Sequence, residues 1–243
     1  MQLEIDCIFL ISVVKYSQKR RGSMQVRKFL EWISDLIWIF LIGSFVGFIY
    51  ENLLTFFRGN YALRQGLLYE PLIPIYGIGL VVFYLIYKNL KLEKVSKPLK
   101  YLIIFLIALV VGGVTEYIGS WIQEVVFGTV SWDYSYMRFD LNGRTSLYHS
   151  SIWGVSGLAF YIILLPIINK LKCYKNNKIG IALTVLLSAV LLADCTISTL
   201  ACNRREERRN DEVASTKLDQ FLDRYYPDVF IDRIYNNANV VKK

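Results

Sequence analysis

Histidine is almost missing from this chain of 243 residues, where His149 stands alone, and there are only four cysteines and five prolines. Cys7, Cys173, Cys195 and Cys202 are scattered, with no CxxC pair and no histidine nearby. That excludes the familiar zinc spacings and a disulfide framework, so the thiols read as small apolar fillers and no metal site is expected. No GxxxxGK[ST] occurs, so the chain lacks the phosphate cradle of an ATPase, and no cofactor is expected. His149 lies beside Ser150 and Ser151, but adjacent helical residues point apart, so the pair gives no nucleophile.

Apolar residues dominate instead, at 54% of the chain, with a mean hydropathy of +0.37. Five apolar runs, at about residues 36–57, 71–90, 99–128, 148–171 and 178–202, each approach or exceed the roughly 20 residues that cross a hydrocarbon core. The expected fold is all-α, a polytopic transmembrane helix bundle of about five spans. A leader (1–30) precedes the membrane domain (31–202), and an amphipathic tail (203–243) follows it.

The formal charge is +8, but the positive residues lie in short loops, which argues against nucleic acid and for a lipid bilayer. Lys15, Lys19, Arg20, Arg21, Arg27 and Lys28 precede the first run. Lys88, Lys91, Lys94, Lys97 and Lys100 separate the second and third, and Lys170, Lys172, Lys175 and Lys178 the fourth and fifth. The other two loops are balanced: Arg58, Arg64 and Glu70 in one, Asp133, Arg138, Asp140 and Arg144 in the other. This asymmetry predicts a multi-pass protein of the cell membrane with a cytoplasmic N-terminus and outward-facing balanced loops. Five spans then place the tail outside, although Arg204, Arg205, Arg208 and Arg209 follow the last run. Either Glu206, Glu207, Asp211 and Glu212 offset them or the span count is off. The leader LEIDCIFLISVVKYSQKRRG carries its basic residues after the apolar run, the reverse of a secretory signal, and reads as an interfacial or disordered segment.

Polar residues inside the apolar runs form stripes. Gly112, Glu116, Ser120 and Glu124 recur every four residues, along one face of a helix. A carboxylate at the bilayer centre costs about 2.5–3.5 kcal/mol, so these acids call for a partner helix or a watery cavity, with solvent exposure fitting Glu124 better than Glu116. Gly43, Gly47 and Glu51 have the same spacing in the first run, where small residues admit a close neighbour.

An internal repeat connects the two stripes. Val46-Gly47-Phe48-Ile49-Tyr50-Glu51 aligns with Val111-Gly112-Gly113-Val114-Thr115-Glu116, and Gly66 lies as far from Tyr76-Gly77 as Gly143 from Trp153-Gly154. Two parallel helical hairpins, 36–90 and 99–171, are expected, with Glu51 and Glu116 pseudo-equivalent. Pro71 and Pro74 suit a broken helix entry folded down into the bundle. The second hairpin's longer loop, SWDYSYMRFDLNGR, contains interface aromatics and an Asn142-Gly143 turn that directs Arg144 back toward the acids. In the tail, Leu218, Phe221, Leu222 and Tyr225, then Phe230, Ile231 and Ile234, predict two amphipathic helices broken at Pro227, lying on the membrane or a partner.

VGFIYENLL, GLLYEPLIPIYGIG, EYIGSWIQEVVFGTVSWDYS and DLNGRTSLYHSSIWG, in that order over roughly residues 36 to 200, resemble the putative ABC-transporter type IV (CmpB-like) family of bacterial multi-pass membrane proteins. Glu70 and Asp140 depart from the family pattern. The resemblance implies a permease-like role with no assigned substrate, and an ATPase partner if the family name is literal. Glu51, Glu116, Glu124, Trp132, Asp133, Asn142, Arg144, Ser151 and Trp153 form the candidate binding set, with no catalytic or metal residue assigned. Three functions stay open. The first is transport of a small solute, ion or lipid through a polar site between the repeats, by a homo-oligomer or with a partner subunit. The second is an enzyme acting on lipid or envelope precursors, with Glu116 or Glu124 as base and Arg144 holding an anion. The third is a non-catalytic partner or sensor that recruits through its tail.

Overall fold

A computed structural model describes residues 2–170 and 177–241. The side chains of residues 1–24 and Arg27, and all of residues 171–176 with Lys172, Cys173 and Lys175, lie outside the described set. The chain is a helical membrane bundle. Helix α1 (Gln2–Phe57) runs on from the leader, and its part Lys28–Phe57 is long and apolar enough to cross a membrane. So are α3 (Lys97–Phe127), α4 (Leu147–Lys170) and α5 (Lys178–Arg209), while α2 (Pro74–Lys88) has only 15 residues. At about 1.5 Å per residue, α2 is some 22 Å long and falls short of a ~30 Å core.

Proline explains why α2 is shorter than the 71–90 run. Pro74 occupies the first helical turn, where its missing N–H costs nothing. The residues before it enter as irregular chain with Leu67, Leu68 and Leu72 buried. Backbone of this kind at membrane depth needs partners inside the protein, and it has them. The Ile73 amide donates to the Ser44 carbonyl at 3.1 Å, and those of Tyr69 and Glu70 donate to Asp194 Oδ2 of α5 at 3.0 and 2.8 Å. Burial, and then Asp194 itself, push the Glu70 carboxyl above its ordinary value.

The two hairpins pack in matching register. Gly47 lies against Tyr76 and Gly112 against Trp153; Gly77 lies against Phe40 and Gly154 against Phe105; Gly43 meets Leu80 where Ala108 meets Gly157. Phe40, Gly43 and Gly47 thus correspond in spacing to Phe105, Ala108 and Gly112. A core of Ile39, Phe83, Tyr84, Ile104, Ala108, Val111 and Phe160 fills the space between the hairpins. In α4 one π-helical turn, Phe160–Leu164, precedes Pro166. Proline cannot donate to the carbonyl four residues back, and the wider turn lets the Leu165 amide reach Phe160 O instead.

Both interhelical loops and the tail gather at one end of the bundle. Strands β2 (Asp140–Leu141) and β3 (Thr145–Ser146) form a hairpin, and Asn142 and Gly143 both take positive φ, at 54° and 68°, as its tight turn demands. Strand β1 (Thr129–Val130) pairs antiparallel with β4 (Asn239–Val240) from the tail. Helices α6 (Lys217–Tyr225) and α7 (Asp228–Ile234) lie against α5 of the same chain, with Leu222, Tyr226 and Ile231 buried on Ala201, Cys202 and Leu68. Cys195 and Cys202 are free thiols.

This docking supplies partners for the arginines at the end of α5. Arg204 binds both oxygens of Asp223 at 2.9 and 3.0 Å and Glu207 at 2.8 Å; Arg205 binds Asp232 at 2.8 Å, and Arg208 reaches Asp223 at 2.6 Å and Asp228. Acids of α6 and α7 therefore neutralise most of the arginines, with adjacent Glu206 and Glu207 as lesser partners.

Candidate functional site

A cavity of about 870 Å³ opens between the hairpins beneath the gathered loops. Glu51 and Glu116 both line it, as do Tyr76 and Trp153, whose rings stack at 5.2 Å. These are the equivalent aromatic residues of the two hairpins, seated on the equivalent glycines Gly47 and Gly112. Close helix approach at the glycines leaves each ring no room but the space between the hairpins, within reach of the acid one turn further on.

The two acids are held differently. Glu51 accepts a hydrogen bond from the Tyr76 hydroxyl at 2.5 Å and an ion pair from Arg64 at 3.3 Å. Glu116 is buried, at 9% exposure; it accepts from the Thr145 hydroxyl at 2.9 Å, and the Trp153 indole faces the same carboxylate. Among the described residues no cation pairs with Glu116. Tyr134 is stacked on His149 at 3.7 Å, and burial, followed by Glu116 and Glu51, pushes its phenol far above the usual value. Tyr134, from the long loop, lines the same cavity as both carboxylates.

The sequence-derived candidates divide. Glu51, Glu116, Trp132, Asp133 and Trp153 line the cavity. Glu124, Asn142, Arg144 and Ser151 do not. Arg144 pairs with Glu124 and donates to Ser120 Oγ at 3.2 Å, so the guanidinium expected beside Glu51 and Glu116 is Arg64 on the first acid and absent from the second. Asp133 Oδ1 accepts from the Ser135 amide at 2.9 Å. Trp132 donates to the Arg144 carbonyl at 2.8 Å and Asn142 to the Tyr117 hydroxyl at 3.0 Å, so both fix the loop. Ser151 returns its hydroxyl to the Leu147 carbonyl of its own helix at 2.7 Å.

Some lining residues escaped the sequence reading. Tyr76 is the repeat partner of Trp153, and Arg64 stands in the charge-balanced loop, so both had a signal. Tyr235, Asn237 and Ala238 of the tail, which close one wall, had none. Asn236 donates to the Leu63 carbonyl at 2.8 Å and Asn237 to the Ser131 carbonyl at 3.4 Å, joining the tail to both interhelical loops.

No curated protein and no solved structure matches this chain. Residues 38–199 match the family described as Putative ABC-transporter type IV, a stretch that takes in both hairpins, both acids and all but the end of α5. The chain is thus a multi-pass membrane protein belonging to the family described as Putative ABC-transporter type IV.

Proposed function

We propose that the protein is a permease-like transport component whose solute, ion or lipid headgroup occupies the cavity between the hairpins. The carrying observation is that two pseudo-equivalent acids, one per hairpin, line one cavity within an apolar bundle. Ionisable groups inside a membrane domain mark pathways more often than they serve packing alone. Parallel repeats with a site at their interface are a recurring transporter plan. The family description is consistent with this role. Having no nucleotide cradle of its own, the chain draws energy from a partner ATPase or from an ion gradient. Loop charges support a cytoplasmic N-terminus, which sets the cavity mouth and the docked tail on the outer side.

Glu51→Gln together with Glu116→Gln is the direct test. Cells expressing wild type or the double variant at equal membrane levels are given a labelled mixture of medium solutes, and internal pools are compared. The expected result is at least tenfold lower accumulation or export of one solute class in the variant. Identical pools would remove the transport reading.

A further inference from the structure

Glu116 is the buried acid of the cavity wall whose partners, among the described residues, are neutral: the Thr145 hydroxyl and the Trp153 indole. Glu51 already has Arg64 as counter-ion. Asp133 is exposed. A carboxylate kept in a low-dielectric wall is stable in its charged form only with a counter-ion, and none comes from the chain. The Tyr76–Trp153 stack and the Tyr134–His149 stack line the same cavity. A carboxylate among electron-rich rings suits an organic ammonium, which gains from both the charge and the ring quadrupoles. A bare metal ion suits it poorly. The cavity, at about 870 Å³, is far larger than an ion, and among the described residues no three acidic, histidine or cysteine side chains converge to ligate one. An anion set against Glu116 would meet a carboxylate, for the guanidiniums that line the cavity stand elsewhere: Arg64 on Glu51, Arg205 on Asp232, and Arg58 at an exposed position just past α1.

We infer that the cavity binds an ammonium group against Glu116, carried by a free amine solute or by an amine lipid headgroup. This deepens the transport reading and rests on its site, but it fails or stands separately. The full-length chain is reconstituted in phosphatidylglycerol nanodiscs, which contain no amine, and titrated calorimetrically with phenethylammonium and with its neutral isostere 2-phenylethanol. Wild type is expected to bind the amine saturably and at least tenfold more tightly than the alcohol. Glu116→Gln is expected to lose at least tenfold in amine affinity, while E93Q, which changes an exposed loop acid, leaves it unaltered. A second disc set includes phosphatidylethanolamine. Retention of that lipid by wild type in native mass spectrometry, with competition against the added amine, assigns the site to a headgroup; amine binding without competition assigns it to a free solute. Equal binding of amine and alcohol by wild type, or neither amine binding nor lipid retention, overturns the inference, and neither outcome depends on a variant folding. Loss of transport in the double glutamine variant without amine binding would keep the permease reading alone; amine binding without transport would keep this one alone.

Discussion

Replacing Gly112 by valine is expected to cost about 3 kcal/mol or more and to lower the detergent melting temperature by on the order of 10 °C. Any side chain added there would overlap Cβ and Cγ of Trp153, which are the fixed stem of a bulky ring and cannot swing aside. The indole would have to leave the Tyr76 stack, or α3 and α4 would have to separate, and helix pairs in lipid depend on this kind of close approach. Trp153→Ala in the same background should recover part of the loss, because it removes the overlapping atoms, although alone it leaves a hole costing about 3–5 kcal/mol. Circular dichroism melts of the two single variants and the double give the coupling. A Gly112→Val protein that melts with wild type would show that the hairpins are not packed in this register. Gly47→Val against Tyr76 should repeat the result, since the repeat places the same contact there.

Asp223→Ala is expected to release the tail. Arg204 has a side chain only 4% exposed and gives two hydrogen bonds to Asp223, with Arg208 giving a third. Deleting the acid leaves a buried guanidinium short of its main partner. A fully buried pair broken in this way costs about 3–5 kcal/mol, but Asp223 is 33% exposed and solvent screens part of the interaction, so about 2 kcal/mol is the reasonable scale. Limited proteolysis reads the outcome at residues 210–216, which join α5 to α6. Cleavage at wild-type rates in the variant would show that the ion pairs do not hold the tail down. Acid should act in the same direction. The hydrogen bonds from Arg204 hold the Asp223 carboxyl below its ordinary value of 3.8. Its contribution is therefore complete above that ordinary value and is lost as pH falls through the lower folded value. Tail docking should persist through mildly acidic buffers and weaken only below about pH 4.

The sequence made the bundle legible because helix-spanning runs are long and locally encoded, and it exposed the repeat because Gly47, Gly112, Tyr76 and Trp153 each do the same job twice. Glu51 and Glu116 were recognisable as acids out of place in apolar runs. Arg144 misled for a different reason. The Asn142-Gly143 turn does direct it back along α3, but the side chain is taken up by Glu124 and the Ser120 hydroxyl, one turn short of Glu116. The tail was beyond reach: its amphipathic faces signal that something covers them without saying what, and the pairing of β4 with β1 joins strands of two residues separated by most of the second half of the chain. Such short ladders have no periodicity to read.

The placement of Tyr235, Asn237 and Ala238 in the cavity wall bears on biosynthesis. The described helices long enough to span all precede these residues in the chain, so a nascent chain halted between Arg209 and Tyr235 has those spans but an unfinished chamber. A polypeptide trimmed in that interval reaches the bilayer with the chamber breached on one side.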